Sequence, residues 1–163
     1  MTNDVALFFD ACRRGDVTQV ALLLQEDETL LNMADNKGFT PLILAVYNEQ
    51  ETMVDFLISK GAHIDAQDFA GNTALMGVCF KGYKKIADKL LTAGADVNVT
   101  NANGATALTF AATFGHLAIA EMLLQRGADL SLRDVRGKSP LDHAIIQEND
   151  AMADLLEQYI NTK

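Results

Sequence analysis

The chain has 163 residues, 49% of them hydrophobic and 21% charged, with a formal net charge of -9. That length and composition suit one folded domain with a core of its own and exclude a disordered chain. The acidic balance argues against a nucleic-acid binder, whose affinity comes from clustered Lys and Arg, and no run of about 18 apolar residues is present to span a bilayer.

The start, M-T-N-D-V-A-L-F-F-D-A-C-R-R, has no basic region ahead of its apolar part, so no leader is read there and a cytoplasmic protein is expected. The rest of the chain is organised by repetition. Gly38, Gly71, Gly104 and Gly137 stand 33 residues apart, each two residues before Thr40, Thr73, Thr106 or Ser139. A second series keeps the same period in Gly61-Ala62-His63-Ile64, Gly94-Ala95-Asp96-Val97 and Gly127-Ala128-Asp129-Leu130. Two phases locked together mark five units, about residues 1–34, 35–67, 68–100, 101–133 and 134–163.

Unit one departs from the others. Its Gly15-Asp16-Val17 and Ala21-Leu22-Leu23-Leu24 align with Gly115-His116-Leu117 and Glu121-Met122-Leu123-Leu124 at an offset of 100, while Leu31-Asn32 aligns with Leu130-Ser131 at 99. Its helix-ending loop, 25–29, therefore holds one extra residue and lacks the glycine. Unit two is the clearest. Asp35 is placed to hydrogen-bond the backbone two residues on, Gly38 supplies a positive φ, Thr40 serves as N-cap and Pro41 suits the first helical position. Leu42, Ala45 and Val46 share one face of a short helix, with a small residue that lets a neighbour approach. Met53, Val54, Phe56, Leu57 and Ile58 then give a second helix an apolar face too wide for one short partner, and Gly61 ends it.

Units three and four repeat that plan. Unit five reads as a cap, because Asp150 and Glu157 stand where unit four has Leu117 and Leu124, as an outer face turned to water requires. A hairpin of two helices with apolar flanks is stable only when like units cover it, so the units must stack.

Turn, Thr-Pro-Leu, small pair, Gly-His, Leu-Leu and Gly-Ala-Asp-Val-Asn, seen here as T-P-L-I-L-A (40–45), T-A-L-T-F-A-A-T-F-G-H (106–116) and L-L-T-A-G-A-D-V-N (90–98), resemble the ankyrin repeat over nearly the whole chain. The resemblance implies an all-α solenoid of stacked helix-turn-helix units with β-turn or hairpin fingers, in a small array of bacterial type. One departure is uniform. The His that usually follows Thr-Pro-Leu is replaced by Ile43, Met76, Thr109 and Asp142, so the Thr–His hydrogen bonds of the family must be replaced or missing.

Catalytic, cofactor and metal sites are not expected. Cys12 and Cys79 lie two units apart; at about 8–10 Å per helix layer they are about 20 Å from each other, too far for a disulfide, and read as buried thiols. His63, His116 and His143 fall in three different units, which argues against a metal. The acidic run Glu26-Asp27-Glu28 reads as solvated charge.

Recognition of another protein remains. The resemblance implies that turn tips and inner helix faces line one concave groove, which here would hold Arg13, Arg14, Phe39, Tyr47, Phe69, Phe80, Lys81, Phe114, Arg136 and Ile146. Aromatic and Arg side chains dominate binding hot spots. The expected protein is a noncatalytic, monomeric adaptor without cofactor, binding a partner through an aromatic stripe of Tyr47, Phe80 and Phe114. The resemblance implies one alternative, an accessory protein assisting an enzyme such as catalase in haem handling, with His63, His116 or His143 as axial ligand.

Overall fold

Helix follows helix along residues 3–162, the part of the chain that the computed structural model describes. The first five are α1 (Asn3–Arg14), α2 (Val17–Glu26), α3 (Pro41–Tyr47), α4 (Glu51–Ser59) and α5 (Ala74–Lys81). Then come α6 (Lys84–Thr92), α7 (Ala107–Phe114), α8 (Leu117–Gln125), α9 (Pro140–Ile146) and α10 (Asp150–Asn161). The odd-numbered helices form an inner row, each packed on the next, and the even-numbered helices form an outer row behind them. No strand occurs among the described residues.

Small residues allow the inner row to pack so closely. Ala11, Ala45, Ala111, Ala112 and Ala144 are fully buried, and all six residues from Pro41 to Val46 are buried. Each inner helix after the first opens on a hydroxyl cap: Oγ1 of Thr40, Thr73 and Thr106, and Oγ of Ser139, accept the N–H three residues on at 3.2–3.3 Å. One such cap contributes about 1 kcal/mol.

The missing His is compensated in three units of four. Met76 Sδ accepts the Thr73 N–H at 3.5 Å, Thr109 Oγ1 that of Thr106 at 3.0 Å, and Asp142 Oδ2 that of Ser139 at 2.8 Å. Three chemically different side chains thus close the same reciprocal cap. Ile43 has no acceptor to offer, and unit two keeps only the Thr40 half.

Two of the outer helices, α4 and α8, start by gripping the unit before them. Gln50 donates its Nε2–H to the Arg13 carbonyl at 2.9 Å, and His116 places Nε2 3.2 Å from the Phe80 carbonyl. Since a carbonyl only accepts, that imidazole nitrogen carries the proton. A second set of ties runs through the inter-unit loops. Oδ1 of Asn32, Asp65 and Asn98 accepts the backbone N–H of His63, Asp96 and Asp129 at 2.8–2.9 Å.

Unit one joins this ladder by a local rearrangement. The expected loop 25–29 is largely helical: α2 continues to Glu26, Asp27 caps the next segment, and Glu28–Asn32 forms a 3-10 helix that buries Leu30. The tighter winding absorbs the extra residue and delivers Asn32 in register with His63. At the other end, Asp150 and Glu157 face solvent while Met152 and Leu156 are buried, in keeping with an outward-facing terminal helix.

Candidate partner-binding groove

Four turns project from the inner row as fingers, at 35–39, 68–72, 101–105 and 134–138. Each is closed by two backbone bonds, one from the N–H of Asp35, Asp68, Asn101 or Asp134 to the carbonyl four residues on and one from the turn glycine's N–H back to the carbonyl of that same residue, all at 2.9–3.0 Å. The same four residues point a side-chain oxygen back into the turn, where Oδ1 accepts two further N–H groups: Lys37 and Phe39, Ala70 and Asn72, Asn103 and Ala105, Arg136 and Lys138. Adjacent fingers are tied by Phe69 N–H to the Lys37 carbonyl, Ala102 N–H to that of Ala70 and Val135 N–H to that of Asn103, at 2.9–3.2 Å. A rigid row of fingers stands over the inner helices, and the space between is the groove.

The ten expected groove residues divide by environment. Arg13 and Arg14 are drawn to carboxylates on the scaffold, Arg13 to Asp35 at 3.8 Å and Arg14 to Asp10 at 3.0 Å. Phe39 and Tyr47 pack on each other, 5.9 Å between ring centroids, and are half-buried. Tyr47 also fills the space left by Gly77 of the next unit, whose Cβ would stand 3.2 Å from the ring. Burial, together with the nearby Asp68 charge, pushes the Tyr47 hydroxyl pKa up.

Phe80 and Phe114 make an edge-to-face pair 4.8 Å apart and stay 42% and 47% exposed. Phe110 stacks behind Phe114 at 6.4 Å, and Lys81 Nζ lies 5.9 Å over the Phe80 ring. Phe69 at one finger tip is 77% exposed, and Ile146 at the end of α9 is 56% exposed. Arg136 is exposed at the last finger tip. Tyr47 therefore belongs to a separate cluster with Phe39, and the central aromatic surface consists of Phe80 and Phe114.

Between fingers and helices the groove deepens into a depression of about 250 Å³ lined by Asn103, Ala105, Phe110, Thr113, Phe114 and His143, among others. Small-molecule sites usually enclose about 300–1,000 Å³, so this one suits a single bulky side chain. His143 Nε2 meets Asp134 Oδ2 at 2.7 Å on its floor, both side chains largely buried. Burial works against the charged form of Asp134, but N–H groups of Lys138 and Arg136 and the His143 ring outweigh it and hold the carboxyl below its usual range. This pair is absent from the expectation drawn from sequence. The signal was the 33-residue period, which sets His143 where the preceding units have Phe110, Gly77 and Leu44.

Elsewhere both thiols and two of the three histidines are occupied by the scaffold. Cys12 and Cys79 are buried free thiols, Cys12 pushed up to about 12 by burial and Cys79 raised as well. Such thiols are poor nucleophiles. Among the described residues no three His, Cys, Asp or Glu side chains group as metal ligands. Of the three histidines considered for haem, His116 bonds the Phe80 carbonyl, His143 pairs with Asp134, and His63 lies exposed in a loop. Among the described residues no helix is long and apolar enough to cross a membrane.

Comparison with known proteins agrees with this architecture. The family model described as ankyrin repeats (3 copies) matches residues 2–68 and again 69–163. BTB/POZ domain-containing protein 3 of Schizosaccharomyces pombe is 36% identical over 78 residues, 46% of this chain and 15% of that protein. Scaffold protein ILK of Homo sapiens is 35% identical over 65 residues, 40% of this chain and 14% of that protein. NF-kappa-B inhibitor alpha of Gallus gallus is 40% identical over 53 residues, 32% of this chain and 17% of that protein. The chain thus matches only about one-sixth of the length of these relatives.

Proposed function

The chain belongs to the ankyrin-repeat family, and from that premise we propose that it is a noncatalytic adaptor whose concave groove binds a partner protein. The observation that carries this reading is the Phe80–Phe114 pair, two aromatic rings held against each other and left nearly half exposed beside the depression at the groove centre. Rings held in one geometry bring large contact area at low entropic cost, the property that makes aromatic residues hot spots. Relatives named as a scaffold protein and an inhibitor fit the same reading. It includes a monomer acting in the cytoplasm, for which light scattering on the purified chain and fractionation of the source cells are the checks.

Phe114→Asp and Phe80→Asp test it. Both positions are partly exposed, so the melting temperature should hold within a few degrees. Partners recovered by wild-type chain from lysate of the native organism, counted by mass spectrometry, should be lost with either variant. A hot-spot loss of about 2 kcal/mol corresponds to about 30-fold in affinity. A partner retained at full yield by a folded variant would sink the reading.

A further inference from the structure

We propose that the groove receives an acidic segment of the partner protein, its carboxylates against the fingers and a bulky apolar side chain in the depression beside Phe114. The proposal rests on the groove's being the partner-binding surface and names the chemistry that would fill it.

The fingers distribute charge unevenly. The carboxylates within the four finger spans are Asp35, Asp68 and Asp134, and each is turned inward to hold the backbone of its own turn. Their side chains are nearly covered, with Asp35 and Asp134 at 8% and 11% exposure. The cations of the same spans, Lys37, Arg136 and Lys138, point outward and are exposed. Among the described residues none of the three is paired with a carboxylate. A chain of net charge -9 therefore presents a finger row whose accessible charge is only positive.

Glu49 and Glu148, both exposed, follow the C-terminal ends of α3 and α9, while the fingers precede the N-terminal ends of the inner helices. The accessible charge of the finger edge is therefore purely cationic, whereas the far edge is mixed, with Glu49 and Glu148 standing there alongside Arg13, Arg14 and Lys81 at the ends of α1 and α5, beside Phe80, Phe114 and Ile146. An acidic segment meets no opposing carboxylate along the fingers, which draws its own carboxylates to that rim. The interleaved apolar surface and the overall negative charge favour a protein over a nucleic acid.

A phage-displayed library of random linear peptides, panned on the whole chain, tests this. The expected consensus places Asp or Glu beside Leu, Phe or Trp. The best peptide, synthesised and titrated by fluorescence anisotropy, should bind about two- to fivefold more weakly to Arg136→Ala or Lys138→Ala. Binding should also weaken with added salt and be abolished by Phe114→Asp. A neutral or basic consensus that still depends on Phe114 would overturn the acidic partner and leave the groove reading standing. Acidic peptides indifferent to Phe114→Asp would overturn both. A library without any enriched sequence counts against the proposal, as does an oligothymidylate probe that binds as tightly as the peptides and is lost with Arg136→Ala.

Discussion

The imidazole of His116 lies directly over Gly82, so close that a Cβ on the glycine would collide with the ring. Gly82 ends α5 in the left-handed region at φ 82, and the ring above it reaches the Phe80 carbonyl. Gly15 stands in the same relation to Gln50, whose amide bonds the Arg13 carbonyl. One position in each of these units thus serves two needs, helix termination and room for the next unit's grip.

Gly82→Ala should fail on both counts. Left-handed backbone costs a residue with a Cβ about 1–2 kcal/mol, and displacing His116 removes a hydrogen bond worth about 1 kcal/mol. Together these amount to about 2–3 kcal/mol, or about 4–12 °C for a chain of this size. Calorimetry on Gly82→Ala and His116→Ala separates them. His116→Ala should show only the smaller loss, and a Gly82→Ala chain melting with wild type would refute the account.

Two units violate the rule and indicate how to stabilise the protein. Glu49 (φ 54) and Glu148 (φ 56) hold the left-handed position that Gly15, Gly82 and Gly115 fill elsewhere. Their inner helices, α3 and α9, have seven residues against eight in α5 and α7. Glu49→Gly and Glu148→Gly should each raise stability by about 0.5–1 kcal/mol, read as a higher urea midpoint at unchanged slope. Sites this far apart should add. A lower midpoint would mean that the glutamate side chains make a compensating contact.

Such local features were legible because each is decided within a few residues and recurs every 33. Asp35 turning into its own finger, Thr40 capping α3 and Gly61 ending α4 follow from backbone chemistry alone. What was not legible depends on the neighbouring unit. Tyr47 is half-buried because Gly77, 30 residues on, leaves space for its ring, whereas Phe80 has Phe114 beside it and stays half exposed. The aromatic stripe therefore breaks where the sequence reads continuous. The 3-10 turn at Glu28–Asn32 and the His143–Asp134 pair escaped for the same reason, since register with Asn32's ladder partner and contact across nine residues are tertiary facts.

Replacement of the family's His by three different acceptors also has a measurable consequence. Thr106 and Thr109 cap reciprocally in α7, and their hydroxyls lie 3.2 Å apart in a buried site. Thr106→Val keeps the shape and removes the cap, which should cost about 1–2 kcal/mol, or about 2–8 °C. Ile43→Thr in α3, where no reciprocal acceptor exists, should recover part of a bond at the expense of buried apolar volume. Thermal melts of both variants check this, and a Thr106→Val chain as stable as wild type would show that the hydroxyl cap contributes nothing there.

Acid stability should depend on the last finger. Asp134 and Asp142 both have lowered folded-state pKa values. At Asp134, desolvation is outweighed by N–H groups of Lys138 and Arg136 and by His143. At Asp142, hydrogen bonds from Ser139 act first, with Arg133 assisting. A carboxyl depressed in the folded state stabilises above its unfolded value, about 3.9, and that contribution is lost as the pH falls through the folded value. The sign is fixed by the unfolded chain, which takes up the proton first. Asp134→Asn separates structure from charge, because Asn101 already holds the preceding finger through the same two N–H bonds. The variant should melt close to wild type, lower by the His143 contact, near neutral pH. As the pH falls below about 4, the unfolded carboxyl value, its melting temperature should fall less steeply than that of the wild type, with Asp142 preserving the rest of the slope. Parallel acid slopes for wild type and variant would show that the Asp134 carboxylate adds no pH-linked stability.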